Sequence, residues 1–263
     1  MNSSLVGGVV AAATARAVLR HPAARRVRAT NYRGHSVTLA GGPAVALGAT
    51  LGTGLEAWLR RQPARAAAAV IAGSIAGAVG RYDDVRGDPE KGLEGHLGAL
   101  RAGRLTSGAV KVAGLGVAGL AATALVDARR AGNQSKRVAG VIAGAAVVAG
   151  LANVVNLLDL RPGRALKVGV ALSLVAPAAG ALGAGAAVLP DDLAERTMLG
   201  DSGANALGAL LGLRLVERTG LAGRAAILAG VVALTVASER ISFSEVIDRQ
   251  PVLSALDRAG RRE

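Results

Sequence analysis

The 263-residue chain contains no cysteine, which excludes a disulfide framework and any metal site built on thiolates. Aromatic residues make up only 2% of the sequence and are Tyr32, Trp58, Tyr82 and Phe243. Acidic residues number 18 against 31 lysines and arginines, so the formal net charge is +13. Basic chains often bind nucleic acid, but here the basic residues cluster between apolar runs, as in loops that face anionic lipid. We therefore expect a membrane, and no nucleic acid, as the partner.

Small and apolar residues are abundant instead. Hydrophobic residues make up 51% of the chain, more than one soluble core requires, and 37 residues are glycine. Small residues let membrane helices pack closely, as we expect around Gly140, Gly144 and Gly150. The composition predicts a polytopic membrane protein with an all-α fold.

Apolar runs in the first part of the chain predict five membrane helices, at residues 5–19, 39–59, 64–80, 108–126 and 138–158. With the N-terminus outside, residues 20–36, 81–107 and 159–167 face the cytoplasm, and the distribution of lysine and arginine agrees with this orientation. Residues 1–240 are predicted to form the membrane domain, and residues 241–263 a charged cytoplasmic tail. Pro251 interrupts this tail, which is either two short amphipathic helices or a solvated disordered segment.

Three polar side chains end the fifth apolar run, in the stretch Asn153-Val-Val-Asn156-Leu-Leu-Asp159. On a helix this spacing keeps them on one face, within roughly 120° of each other. Two amides and a carboxylate at membrane depth are costly unless they line an enclosed or water-filled site. The stretch predicts a functional site, with helix capping and interhelical hydrogen bonding as the alternative.

Two acidic motifs flank other apolar runs. Asp83 and Asp84 follow the third run, and adjacent carboxylates require a nearby cation in a low-dielectric setting. Asp201 lies in Gly200-Asp201-Ser202-Gly203, where a following helix would offer free amides to a phosphate. Taken separately, the pair can be solvated loop residues and Asp201 a helix cap.

The ordered set Asp83-Asp84, Asn153-x-x-Asn156-x-x-Asp159 and Gly200-Asp201-Ser202-Gly203 resembles the polyprenyl-phosphate N-acetylhexosamine-1-phosphate transferase superfamily. Residues 37–42 (Val-Thr-Leu-Ala-Gly-Gly) and 91–93 (Lys-Gly-Leu) resemble further family segments. The resemblance covers roughly residues 30–215. It implies a bundle of about 8–10 membrane segments with a cytoplasmic-side cleft, in the plasma membrane. A homodimer is an open alternative.

The activity implied by the resemblance is transfer of a sugar 1-phosphate from a UDP-sugar to a polyprenyl phosphate, releasing UMP, with Mg²⁺ or Mn²⁺ bound. Charge neutralisation and positioning dominate such phosphoryl transfers. The implied catalytic residues are Asp83, Asp84 and Asp201, and the implied metal ligands are Asp201, Asp84 and Asp159. The implied substrate-binding residues are Asn153, Asn156, Asp159, Arg161, Arg164, Lys91 and His96.

The chain departs from the family pattern at two points. Pro162 replaces an acid that follows the position of Asp159, and the histidine-rich loop of many members is missing, because the histidines are His21, His35 and His96. Arg161 and Arg164 can take over pyrophosphate binding. These departures favour one alternative, a non-catalytic relative that binds a lipid-linked sugar or an envelope partner. A transporter is another alternative, although the chain has no internal repeat.

A shared site also demands a particular topology between Asp159 and Asp201. The apolar stretch at residues 165–189 is too short for two full crossings, and one crossing would separate the two acids. Pro177, followed by Gly180, Gly183 and Gly185, provides a natural break. We therefore predict a hairpin of two short helices that bends near residues 176–180 and returns to the same side.

Overall fold

The computed structural model describes residues 2–87, 95, 98–99, 101–128, 130 and 133–261. These residues form mainly helices, as the all-α prediction requires. The helices are α1 Ser3–Arg20, α2 Gly41–Leu59, α3 Pro63–Arg86, α4 Ser107–Asp127, α5 Gln134–Leu158, α6 Arg164–Val175, α7 Ala179–Leu193, α8 Gly200–Arg218, α9 Leu221–Ser238, α10 Phe243–Arg249 and α11 Pro251–Arg258.

Local chemistry explains where several helices begin and end. The side chains of Asn2, Thr106 and Asn133 each accept a hydrogen bond from a first-turn amide of α1, α4 and α5 respectively. Pro63 occupies the first turn of α3, where its missing amide costs nothing. Gly87 ends α3 in the left-handed conformation, with φ of 45°.

Four helices are long and apolar enough to cross a membrane, by length and composition: α3, α4, α5 and α9. Three of them match predicted apolar runs, and the fourth, α9, lies outside the five runs predicted in the first part of the chain. The run expected to end at residue 80 instead continues as helix to Arg86, so Asp83 and Asp84 lie on α3 and not in a loop. This difference matters because a helix sends adjacent side chains about 100° apart.

The helix α8 is the centre of the packing. It contacts α2, α3 and α5 along its length, while α1 and α7 pack outside α2, and α4 lies against α3 and α5. The buried side chains of α8 include Leu207, Leu210, Leu211 and Leu213. One end of the bundle carries Asp83, Asp84, Asp159 and Asp201, and we call it the acid end.

The stretch between Asp159 and Asp201 is the predicted hairpin. The helix α6 ends at Val175, α7 starts at Ala179, and the turn between them contains Pro177. Both arms return to the acid end, because the amide of Gly163 donates to the carboxylate of Asp192 across 2.6 Å. The predicted hairpin of two short helices is confirmed, and Asp159 and Asp201 lie at the same end of the bundle. The compartment that this end faces stays a prediction.

A β-hairpin that the sequence analysis did not predict covers part of the acid end. Its strands, β1 Arg28–Thr30 and β2 Ser36–Thr38, pair antiparallel. Thr38, the last residue of β2, also pairs with the loop before α8: its carbonyl oxygen accepts a hydrogen bond from the amide of Met198 at 2.8 Å. The segment at residues 37–42 therefore lies beside the loop that leads to Asp201.

Opposite the acid end, a buried ion pair joins four helices. Asp127 at the end of α4 receives two hydrogen bonds from the guanidinium group of Arg224 on α9. The same guanidinium donates to the carbonyl oxygens of Gly140 on α5 and Val216 on α8, at 2.7 and 3.0 Å. Both side chains are almost completely buried. The pair fixes the ends of these helices relative to each other.

Candidate active site

Close contact between α3 and α8 builds the base of the site. A side chain at Gly80 would clash, since a Cβ there would lie 2.3 Å from the carbonyl oxygen of Asp201. Gly200 has φ of 61°, and a Cβ there would lie 2.9 Å from Oδ1 of Asp84. These glycines let the two backbones approach until an α3 carboxylate reaches the start of α8.

The carboxylate of Asp84 caps the N-terminus of α8. Its Oδ1 accepts the amide of Asp201 at 2.9 Å, and its Oδ2 accepts the amide of Ser202 at 3.1 Å. A carboxylate at a helix N-terminus is favoured both by the free amides and by the helix dipole. Asp84 therefore has a clear structural role, and its assignment as a catalytic residue and metal ligand stays a prediction.

Asp83 points from α3 towards α4, where it meets a lysine. The ammonium group of Lys111 lies 2.6 Å from Oδ2 of Asp83 and also contacts Oδ2 of Asp201. Ser107 donates its hydroxyl proton to Oδ1 of Asp83 at 2.5 Å. The lysine thus bridges two acids that are 118 positions apart in the sequence. This is the cation that the adjacent acids were expected to need.

Asp159 joins the same region from the end of α5. It lies next to the backbone amide of Gly200, the residue before Asp201, and within electrostatic range of Asp84 and Asp201. We call Asp83, Asp84, Asp159 and Asp201 the acid cluster. Their expected proximity is found, since α3, α5 and α8 all place one end here.

A small cavity opens beside the acid cluster. Its walls come from the β-hairpin, the loop at residues 160–163 and the segment before α8. The guanidinium carbon of Arg161 lies 4.4 Å from the centre of the Tyr32 ring, a stacking contact between cation and aromatic ring. The lining residues are Asn31, Tyr32, Val37, Asp159, Leu160, Arg161, Pro162, Asp192, Glu195, Thr197 and Met198.

Among the described residues, Asn153, Asn156 and Arg164 were predicted to bind substrate but do not line the cavity. The amide group of Asn153 donates to Thr235 on α9 at 3.5 Å, so it faces away from the acid cluster. Asn156 is half-buried, and its side chain has no hydrogen-bond partner among the described residues. Arg164 is buried against the C-terminal tail and does not line the cavity. Lys91 and His96 lie outside the described residues.

The sequence analysis missed Lys111 and Asp192. Lys111 was visible as a single charge inside the fourth apolar run, and a charge in such a run is by itself a sign of function. Asp192 lies near the end of α7, and its carboxylate binds the amide of Gly163 and contacts the backbone of Leu199. No sequence motif indicates that contact, because it depends on how the hairpin returns.

No family model matches the chain, and no curated protein matches its sequence.

The chemistry of the acid cluster fits a divalent cation. Its four carboxylates are close to two cationic side chains, Lys111 and Arg81, so negative charge is in excess. Mg²⁺ prefers carboxylate oxygens and usually shares its coordination with substrate phosphates and water. Among the described residues, no three histidine, aspartate or glutamate side chains are arranged to hold a metal ion together. Substrate phosphates and water would complete the coordination of a Mg²⁺ ion bound here.

Replacing Lys111 tests the charge balance. We expect Lys111→Met to lower the free energy of unfolding by on the order of 2 kcal/mol, because Asp83 and Asp201 lose their shared cation. We also expect added Mg²⁺ to restore more stability to this variant than to the parent, since the divalent ion no longer competes with an ammonium group. Thermal unfolding with EDTA and with Mg²⁺ measures both effects.

The exposed Lys136 on α5 provides the matched control, and Lys136→Met should unfold like the parent under both conditions. Equal stability of Lys111→Met and the parent in EDTA would contradict the assigned charge balance.

Proposed function

We propose that the protein is a membrane phosphoglycosyl transferase that moves a sugar 1-phosphate from a UDP-sugar to a polyprenyl phosphate and releases UMP. The observation that carries this proposal is the convergence of Asp83, Asp84, Asp159 and Asp201 around Lys111, at the end of a bundle with four span-capable helices. Acidic and basic groups side by side suit a reaction between two polyanions.

In this proposal the bundle has about 8–10 segments in the plasma membrane, including the two short arms α6 and α7, and its acid end faces the cytoplasm. The helices α3, α5 and α8 each contribute an acid at the same end of the bundle, which supports a shared site there. UDP-sugars are soluble, whereas a polyprenyl phosphate is confined to the leaflet. A site at the ends of membrane helices is accessible to both.

In the proposed reaction each residue near the cavity has a separate role. Asp201 and Asp159 would hold Mg²⁺, which neutralises the diphosphate of the UDP-sugar when bound. Lys111 and Arg161 would bind phosphate oxygens, Lys111 by leaving its contact with Asp201. Asp83 would orient the polyprenyl phosphate, which reacts in its doubly ionised form and needs no proton acceptor. An oxygen of that phosphate then attacks the phosphorus attached to the sugar, and the bond to UMP breaks, with its electron pair leaving on UMP.

One observation favours the non-catalytic alternative. Both carboxylate oxygens of Asp84 bind amides, and the ammonium group of Lys111 lies between Asp83 and Asp201. Carboxylates that already bind backbone amides and an ammonium group in this way can have a purely structural role. A relative that only binds a lipid-linked sugar would also need no metal.

Release of UMP separates the two functions. The purified protein is incubated with UDP-N-acetylglucosamine and undecaprenyl phosphate, with Mg²⁺ or with EDTA, and then with other UDP-sugars. We expect UMP release that needs both the lipid and Mg²⁺. Binding of a UDP-sugar without turnover, for every sugar tested, would contradict the transferase proposal and favour the non-catalytic relative.

A further inference from the structure

The C-terminal tail is folded onto the loop that lines the cavity. We call residues 160–163 the cavity loop and residues 241–261 the tail. Arg164, directly after the cavity loop, donates from Nε and Nη2 to the two carboxylate oxygens of Asp257, at 2.8 and 2.9 Å. The two side chains are only 4% and 5% exposed. A two-pronged contact of this kind fixes direction as well as distance.

Additional contacts hold the tail before and after Arg164 in the sequence. Before Arg164, the carbonyl oxygen of Pro162 accepts a hydrogen bond from Nε of Arg261 at 2.9 Å. After it, the ammonium group of Lys167 donates to the carbonyl oxygens of Leu256 and Asp257, at 2.9 and 2.8 Å. The cavity loop is therefore anchored by the tail at its last residues and at the start of α6.

Asp257 is charged at neutral pH. Burial on its own would raise the pKa of its carboxyl group, but the hydrogen bonds and charge of Arg164, together with the charge of Arg261, outweigh that effect and lower the pKa below its ordinary value. The contact is thus a full ion pair. Its loss on one side would leave a buried, unpaired charge.

Residues of the cavity loop contact two other walls of the cavity. Arg161 stacks on Tyr32, and the amide of Gly163 donates to Asp192 at 2.6 Å. Asp159 comes immediately before the loop. Since the tail binds Pro162 and Arg164, loss of these contacts would remove a constraint on the position of Arg161 and on the contact between Gly163 and Asp192.

We propose that Asp257 is a positioning residue of the candidate site, which acts through Arg164 to hold the cavity loop against the β-hairpin. The tail would then help to determine the shape of the cavity. The identity of the ligand as a UDP-sugar is based on the proposed function, whereas the coupling between tail and cavity is independent of it.

The absence of cysteine allows single-cysteine reporters. Ser254 lies on the buried face of α11 and is 9% exposed, whereas Leu256 on the outer face of the same helix is 61% exposed. Val37 lines the cavity and is 4% exposed. Ser254→Cys therefore reports on docking of the tail, Val37→Cys on closure of the cavity, and Leu256→Cys is the accessible reference.

Each reporter is combined with Asp257→Asn, Asp257→Glu and the control Asp248→Asn, which changes an exposed acid on α10. Labelling with a maleimide is timed in the full-length protein. We expect Asp257→Asn to speed labelling of both Ser254→Cys and Val37→Cys by about tenfold or more, as a loosened anchor predicts. Asp257→Glu should give smaller increases, and Asp248→Asn none.

Kinetics provide a second test. We expect Asp257→Asn to raise KM for UDP-N-acetylglucosamine by about tenfold or more with a smaller change in kcat, because misplaced binding groups weaken substrate binding first. A tail with a purely structural role would change the melting temperature and leave KM and the labelling of Val37→Cys unaltered.

The outcomes separate this proposal from the proposed function. If labelling of Ser254→Cys speeds while that of Val37→Cys stays at the parent rate, or if neither changes, Asp257 does not position the cavity. If the parent releases no UMP from any UDP-sugar but both reporters respond to Asp257→Asn, the coupling holds and the transferase proposal fails.

Discussion

Replacing Asp201 by asparagine should reduce UMP release about a hundredfold to a thousandfold, the size of effect seen when a group that stabilises transition-state charge is removed. The substitution keeps the side-chain volume and removes the negative charge that contacts Lys111. The backbone amide of residue 201, which donates to Asp84, is unchanged. In the proposed reaction this charge holds Mg²⁺, and an amide is a much poorer ligand. Initial rates of UMP release with saturating Mg²⁺ measure the effect.

The matched control is Asp248→Asn, the same change at an exposed acid, which should keep the parent rate. Thermal unfolding must show that Asp201→Asn is folded. A folded Asp201→Asn variant with turnover within a few-fold of the parent would mean that Asp201 acts only as a first-turn acid of α8.

The largest effect on stability is expected at the end of the bundle opposite the acid cluster. Arg224→Met should lower the free energy of unfolding by about 3–5 kcal/mol, because it leaves the buried carboxylate of Asp127 without its main partner. It also frees the carbonyl oxygens of Gly140 and Val216. Unfolding by denaturing detergent, followed by circular dichroism, measures the loss.

Two further variants interpret that loss. Arg218→Met removes an exposed arginine from α8 and should change stability by less than about 1 kcal/mol. The double variant Arg224→Met with Asp127→Leu should recover most of the loss, since an apolar pair can replace a buried ion pair. If the double variant is as unstable as the single one, packing around Arg224 and not its charge holds the helices.

Hydropathy predicted much of the helical framework because apolar runs and helices coincide in this chain. The fourth and fifth runs, 108–126 and 138–158, match α4 and α5 within a few residues. The bend at Pro177 was also predictable, since proline lacks the amide that a continuous helix would need. In contrast, the β-hairpin is short and held by contacts with the loop before α8, which no local pattern reveals.

The acid cluster shows a similar division. The spacing of Asp83, Asp84 and Asp201 relative to apolar runs located two helix ends, and the structure brings those ends together. The continuation of α3 through Asp84 could not be inferred from hydropathy, because charged residues at the end of an apolar run mimic a loop. Partners distant in sequence, such as Lys111 for Asp201 and Asp257 for Arg164, depend on tertiary packing.

The most direct test of the central claim is Mn²⁺ binding in the presence of UDP-N-acetylglucosamine, measured by electron paramagnetic resonance. Mn²⁺ can replace Mg²⁺ at oxygen-rich sites, and its free and bound forms have distinct signals. We expect one tightly bound Mn²⁺ per chain in the parent and in Asp248→Asn, with binding lost in Asp201→Asn. Equal Mn²⁺ binding by the parent and Asp201→Asn would contradict a site built on the acid cluster.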